Sequence, residues 1–257
     1  MTEERTVEPL LEPREGIPPV VADEAGLVSV VERFAAGSGP VAVDAERASG
    51  YRYGNRAYLV QLRRAGSGSA LIDPIGCPDL TALDAAVSGA EIVLHAASQD
   101  LPCLMEVGFK PREMFDTELA GRLLGYERVG LGTMVETVLG LRLEKGHSAA
   151  DWSTRPLPED WLRYAALDVE VLVELRDVLH QELTDSGKLE WAREEFAAVL
   201  NTPPAAPGLI RGGARRASTR CAMSGPWPSC GSCGPCATGS PARPISRPAG
   251  CCPTRRS

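Results

Sequence analysis

Three groups of side chains in this chain have the types and spacing to do chemistry. Asp44 and Glu46 close the run Val41-Ala42-Val43-Asp44-Ala45-Glu46. Residues two apart in a strand share a face, so these carboxylates stand side by side and repel unless a cation lies between them. Taken alone, such a pair is ordinarily a solvent-facing strand end. Asp100 follows in His95-Ala96-Ala97-Ser98-Gln99-Asp100-Leu101, where a strand gives way to a helix. That places it near the carboxyl edge of a sheet, where open α/β sheets hold ligands. Its competing reading is a helix-start acid favoured by the macrodipole. Tyr164 and Asp168 are four residues apart in Tyr164-Ala165-Ala166-Leu167-Asp168, which sets a phenol and a carboxylate on one helical face. Ala165 and Ala166 let that face approach a sheet closely.

The elements that must position these groups are legible from periodicity and turn residues. Asp23 reads as the N-cap of a helix with Leu27, Val30, Val31 and Phe34 at helical spacing, stopped by Gly37-Ser38-Gly39-Pro40. Strands are expected at residues 41–46, 57–62, 70–73 and 91–95, the second and third joined by a Gly-Ser-rich hairpin. Helices are expected at 80–87, 99–107, 116–124, 131–139, 158–184 and 189–200. Hairpin-linked strands followed by helix–strand alternation indicate an α/β domain with a mixed sheet. Residues 1–19, with Pro9, Pro13, Pro18, Pro19 and scattered acids, read as a disordered lead-in.

The order of the motifs resembles the DEDD 3′→5′ exonuclease superfamily in its tyrosine-bearing subclass. Val41 to Glu46 looks like the first exonuclease motif of that family. His95 to Leu101 with Phe115-Asp116-Thr117-Glu118-Leu119-Ala120 looks like the second. Asp151-Trp152-Ser153, Arg155-Pro156-Leu157 and Tyr164 to Val169 look like the approach and third motif of the ribonuclease D-like members. The resemblance runs from about Val20 to Leu200, and the exonuclease domain is expected over residues 20–202. It implies a ribonuclease H-like α/β fold, a mixed five-stranded sheet flanked by helices, with the fifth strand near Phe115 or before Leu131.

By that resemblance the activity is two-metal hydrolysis of phosphodiester bonds from the 3′ end of single-stranded RNA, with a tRNA precursor as the favoured substrate; the alternatives are a DNA-directed 3′→5′ exonuclease and a non-catalytic nucleic-acid-binding scaffold. Two divalent cations about 3.5–4 Å apart neutralise the attacked phosphate, activate water and stabilise the leaving oxygen. Oxygen ligands suit Mg²⁺ or Mn²⁺, and no zinc is expected. Asp44 is implied to bridge both cations, Glu46 and Asp168 to complete the water-binding site, and Asp100 to hold the second cation. Tyr164 is implied to orient the water, since a phenol with a pKa near 10 is a poor base at neutral pH. Ala45, His95, Trp152 and Arg155 are expected as substrate contacts; for His95 a packed core histidine is an equal reading, and for Trp152 plain core is the stronger one. Ala45 stands where the family usually has Thr, which leaves any hydroxyl contact there in question. A cytoplasmic enzyme without an obligate protein partner is expected.

Charge divides the chain. Residues 208–257 carry eight Arg and no acid, which leaves 19 basic and 34 acidic residues before them. An acidic body is unusual for a polyanion-binding protein, and Lys110, Arg112, Arg122, Arg142, Lys145 and Arg163 are candidates for a basic rim. Apolar residues make up 44% of the chain, enough for an ordinary core. No apolar run reaches the 18 residues that suggest a membrane span, and the acidic N-terminus does not read as a secretory signal. The tail holds Cys221, Cys230, Cys233, Cys236, Cys251 and Cys252, a spacing that invites a zinc reading. Yet it has no apolar periodicity. Residues 203–257 are instead expected to be a linker and a disordered, frameshifted remnant. Back-translated and read one base upstream, the tail resembles the helical HRDC domain that follows the exonuclease in ribonuclease D.

Overall fold

The computed structural model describes residues 7–48, 50–143, 146–147 and 149–202. Lys145 and every tail residue discussed above, including the six cysteines and the linker from residue 203, lie outside the described residues. The described residues all fall in one unit of the chain, Met1–Ala206.

Strand β3 (Ser38–Arg47) forms the middle of the sheet. It pairs antiparallel with β4 (Ala57–Ala65), which pairs antiparallel with β5 (Gly68–Ile72) across the expected hairpin. On its other side β3 runs parallel to β6 (Ile92–Leu94), and β6 parallel to β7 (Met114–Asp116), the fifth strand expected near Phe115. A two-residue strand β2 (Val20–Val21) beside β5 makes the sheet six-stranded, in the order β2-β5-β4-β3-β6-β7.

Alternation along β3 decides what faces what. Val41, Val43 and Ala45 enter the larger core with helices α1 (Glu24–Ala36), α2 (Thr81–Ala86) and α3 (Leu101–Glu106). Ala42 points the other way, against Val169 and Leu172. Helix α6 (Glu159–Glu170) lies on that second face, and Ala165 and Ala166 pack with Leu59, Leu71 and Trp152. Two alanines in sequence allow the close approach, because no larger side chain separates helix from sheet. Asp23 caps α1 as expected, accepting from the Gly26 N–H at 2.8 Å. Helices α4 (Thr117–Leu124), α5 (Leu131–Leu139) and α8 (Leu189–Asn201) fall close to their expected positions.

Two expectations are corrected. The single helix foreseen over 158–184 breaks at Val171, giving α6 and α7 (Leu172–Asp185). Val169, Val171 and Val173 are β-branched and weaken a helix locally, and the break sets Leu175, Leu179 and Leu183 into the core. The lead-in is ordered from residue 8. Strand β1 (Glu8–Leu10) pairs in parallel with β8 (Leu141–Leu143), a position at a sheet edge that tolerates Pro9. Beyond it, Glu12 pairs with Arg163 at 2.9 Å, Arg14 with Glu174, and Glu15 with Arg63 at 2.9 Å. These acids and this arginine have partners that lie far away in sequence, which composition cannot reveal.

Candidate active site

The sheet alternation and the face of α6 bring the carboxylates together. Oxygens of Asp44, Glu46 and Asp168 lie within 4.8 Å of one another. Asp100, 96% buried, hydrogen-bonds Asp44 from the far side. The Tyr164 phenol donates to Asp168 one helical turn on. All five residues singled out by their spacing therefore meet at one end of β3.

Asp44 and Asp100 are held by residues outside these five. Gln61 lies directly across from Asp44 in the β3–β4 register, and its Nε2 donates to Asp44 Oδ2 at 2.8 Å. Gln61 is fully buried and its own Oε1 has no partner, so the amide serves to aim Asp44. Asp100 depends on Asp116. That carboxylate accepts from the backbone of Ala96 (3.0 Å) and Ala97 (2.9 Å) as β6 ends, and from Glu118 (2.9 Å) and Leu119 (3.2 Å) as α4 begins. Ala96 sits at φ 60°, a left-handed conformation that costs a non-glycine residue about 1–2 kcal/mol. The Asp116 bonds hold that turn, and the turn delivers Asp100. Arg47 reaches Asp100 Oδ1 at 3.2 Å and donates to the Gln99 carbonyl at 2.6 Å. An amide inside an apolar strand, and an acid opening a helix just past a strand, were the signals available for Gln61 and Asp116. Arg47 gave none beyond its adjacency to Glu46.

The four expected substrate contacts take other roles. Ala45 points into the core on the opposite face, so the missing hydroxyl does not touch the carboxylates, and its backbone N–H bonds to Asp44. His95 bonds Thr117 Oγ1 through Nδ1 at 2.8 Å and the backbone of Val129, and burial lowers its pKa. Trp152 is fully buried, tilted against Trp161 with centroids 5.3 Å apart, so no face is open for stacking. Arg155 uses all five donors inside the chain. It binds Asp73 through Nε (2.7 Å) and Nη2 (2.9 Å), Tyr58 O through Nη2 (2.7 Å), and Trp152 O (2.8 Å) and Thr154 O (2.7 Å) through Nη1. Arg155 is thus a clamp that ties the loop before α6 to the sheet.

Beside Glu46 opens a groove of about 400 Å³ lined by Ala45, Glu46, Arg47, Gly50, Gln99, Ala149 and Ala150. Asp44, Glu46 and Asp168 could together hold a cation. Burial raises Asp44, and pushes Asp168 and Glu46 well above the carboxylate range, with neighbouring carboxylates adding to the rise. Burial and the charge of Asp44 push Asp100 up to about 8. All donors are oxygens, which suits hard divalent cations.

A pH dependence follows. Between the ordinary pKa of Asp100, 3.8, and its folded value of about 8, the folded protein holds protons that the unfolded chain releases. Stability without cation is therefore fully present at the acid end and falls as pH rises through that window. Thermal melting in a chelator is expected to give a lower Tm at pH 8.5 than at pH 5.5. Added Mn²⁺ is expected to raise Tm more at pH 8.5, because it takes the place of those protons. A chelated protein whose Tm climbs with pH would contradict the arrangement of these groups.

Sheet order, carboxylate placement and the tyrosine are those expected of the 3′–5′ exonuclease class, and the comparisons place the chain in that family. The chain matches the 3′-5′ exonuclease family over residues 18–184 and belongs to it. It is 34% identical over 193 residues to a ribonuclease D of Shewanella sp. (strain ANA-3), covering 74% of this chain and 49% of that protein. A crystal structure of a protein from Bifidobacterium adolescentis is 48% identical, with a TM-score of 0.74 over 76% of this chain and 48% of that one. Escherichia coli RNase D, described as an exoribonuclease involved in structured RNA processing, is 31% identical, with a TM-score of 0.63 over 71% of this chain and 49% of that one. The chain thus spans about half the length of the curated relatives it matches.

Proposed function

We propose that this chain hydrolyses phosphodiester bonds one nucleotide at a time from the 3′ end of single-stranded RNA, with trimming of tRNA precursors as its task. The observation that carries the reading is the meeting of Asp44, Glu46 and Asp168 within 4.8 Å, with Asp100 and Tyr164 against them. The ribonuclease D names of the relatives support RNA over DNA and a cytoplasmic setting. Among the described residues no helix is long and apolar enough to cross a membrane.

Asp44, Glu46, Asp168 and Asp100 would hold Mg²⁺ or Mn²⁺, which would supply the charge neutralisation and water activation that cleavage needs. The protein's own groups set the geometry. Gln61 holds one oxygen of Asp44, so that carboxylate cannot rotate freely. The Tyr164 phenol is raised well above its usual range by burial and by Asp168. It keeps its proton at any physiological pH and so acts as a donor that orients water rather than as a base.

The test uses 5′-labelled single-stranded RNA and DNA of one sequence, with Mg²⁺, Mn²⁺ or a chelator. Stepwise shortening of RNA, faster than of DNA and abolished by chelation, is the expected result. Faster shortening of DNA would move the assignment to a DNA exonuclease. No shortening of either strand would end the reading.

A further inference from the structure

Strands β3 and β4 are joined by residues 48–56, and this connection leaves the sheet immediately beside the carboxylates. Arg47, the last residue of β3, follows Glu46 and pairs with Ala57, the first of β4. From Arg47 to Arg56 the chain reads Arg-Ala-Ser-Gly-Tyr-Arg-Tyr-Gly-Asn-Arg, with three arginines, two tyrosines and no acid. In a body with 34 acidic and 19 basic residues before position 208, such a stretch is exceptional.

The side chains are presented outward. Tyr53 is 99% exposed and Tyr51 55% exposed. Two solvent-facing aromatic rings within three residues contribute little to the core and mark a contact surface. Arg52 and Arg56 form no ion pair within 4.0 Å among the described residues, Arg56 having only a longer-range attraction to Asp73, which Arg155 already binds. By contrast, most of the cations foreseen as a basic rim are occupied. Arg112 pairs with Asp84 at 3.5 Å, Arg122 with Glu118 at 2.6 Å, Arg142 with Glu136 at 3.2 Å and Arg163 with Glu12 at 2.9 Å. Arg47 and Gly50 line the groove beside Glu46, so this basic, aromatic stretch begins at the groove wall.

We propose that the β3–β4 loop is the track on which the single strand enters, Tyr51 and Tyr53 stacking on bases and Arg52 and Arg56 pairing with phosphates. Arg47 marks its inner end. There it exchanges its contact with Asp100 for the phosphate nearest the carboxylates, and Asp100 is freed for a cation. Alternating aromatic and basic side chains suit a flexible polyanion with π-faced bases. The loop supplies locally the positive charge that the acidic body lacks. The choice of a polynucleotide rests on the exonuclease reading above.

The test is binding rather than turnover. Affinities of the full chain for a fluorescent 12-nucleotide RNA and the matching DNA are measured in Ca²⁺ over a range of salt. Tyr51→Ala/Tyr53→Ala is expected to weaken binding by about tenfold or more, and Tyr51→Phe/Tyr53→Phe to restore it. Arg52→Gln/Arg56→Gln is expected to lower the slope of log affinity against log salt by about 1.4, near 0.7 for each phosphate contact on a single strand. Equal losses for RNA and DNA place recognition in bases and phosphates; a larger loss for RNA adds a contact to the 2′-hydroxyl. Wild-type affinity and slope in both double variants would overturn the proposal and leave the exposed tyrosines as a surface for another protein. A chain that binds through the loop but degrades neither strand keeps this inference and ends the exonuclease reading. A chain that degrades RNA with loop variants that bind like wild type ends this inference alone.

Discussion

Asp44→Asn is expected to lower the rate of RNA degradation by about a thousandfold or more while the protein stays folded. Asp44 lies within 4.8 Å of Glu46 and Asp168, interacts with Asp100, and on the proposed function is the carboxylate that both cations would share. An amide of the same shape removes the charge that both cation positions share. A thousandfold loss corresponds to about 4 kcal/mol of barrier, in the range that cation stabilisation of a phosphoryl oxygen supplies. Folding is not expected to suffer. Burial is the main cause of the raised Glu46 and Asp168, and the repulsion from Asp44 that adds to it is removed when Asp44 becomes neutral. Single-turnover rates with 5′-labelled RNA, together with a chelated melting curve, test both halves. A variant with near wild-type turnover would remove Asp44 from the centre of the site. A variant that unfolds would show that its main role is structural.

Tyr164→Phe is expected to lower kcat by about a hundredfold and to leave Mn²⁺ affinity within about twofold of wild type. The phenol donates to Asp168 and sits among carboxylates that hold its proton on. Losing a group that orients the reacting water costs rate of the order seen for positioned proton donors, about 10²-fold at the lower end. Removing a hydrogen bond to Asp168, rather than a ligand, leaves the oxygen donors in place. Calorimetric Mn²⁺ titration beside kinetics separates the two. A collapse of cation binding in the phenylalanine variant would show that the phenol oxygen is itself a ligand.

The five residues at the centre were readable because their information is local. A period of two along residues 41–46 sets Asp44 and Glu46 on one face, and a period near 3.6 sets Tyr164 above Asp168. The small residues Ala165 and Ala166 announced a close helix-to-sheet contact, and the structure places them on Leu59 and Leu71. The fifth strand was foreseen near Phe115, although only three residues form it. Where the reading failed, the deciding contact was distant. Arg155, close in sequence to the third motif, looks like a phosphate contact until Asp73 is seen to occupy it, whereas the burial of Trp152 against Trp161 agrees with its reading as core. The lead-in looks disordered until Arg163, Glu174 and Arg63 are seen to receive its charges.

The sequence by itself therefore determined which carboxylates meet at the end of β3, the tyrosine beside them and the α/β class of the fold. Each of these depends on which way a side chain leaves its own strand or helix, and backbone geometry fixes that locally. Only the tertiary structure decided what holds the carboxylates and what surrounds them: Gln61 across from Asp44, Asp116 beneath the turn to Asp100, Arg47 beside it, and the basic, aromatic loop at the groove. Those partners come from other elements. Which element arrives opposite a given side chain is set by burial and pairing across the whole chain, a quantity that no short window of residues contains.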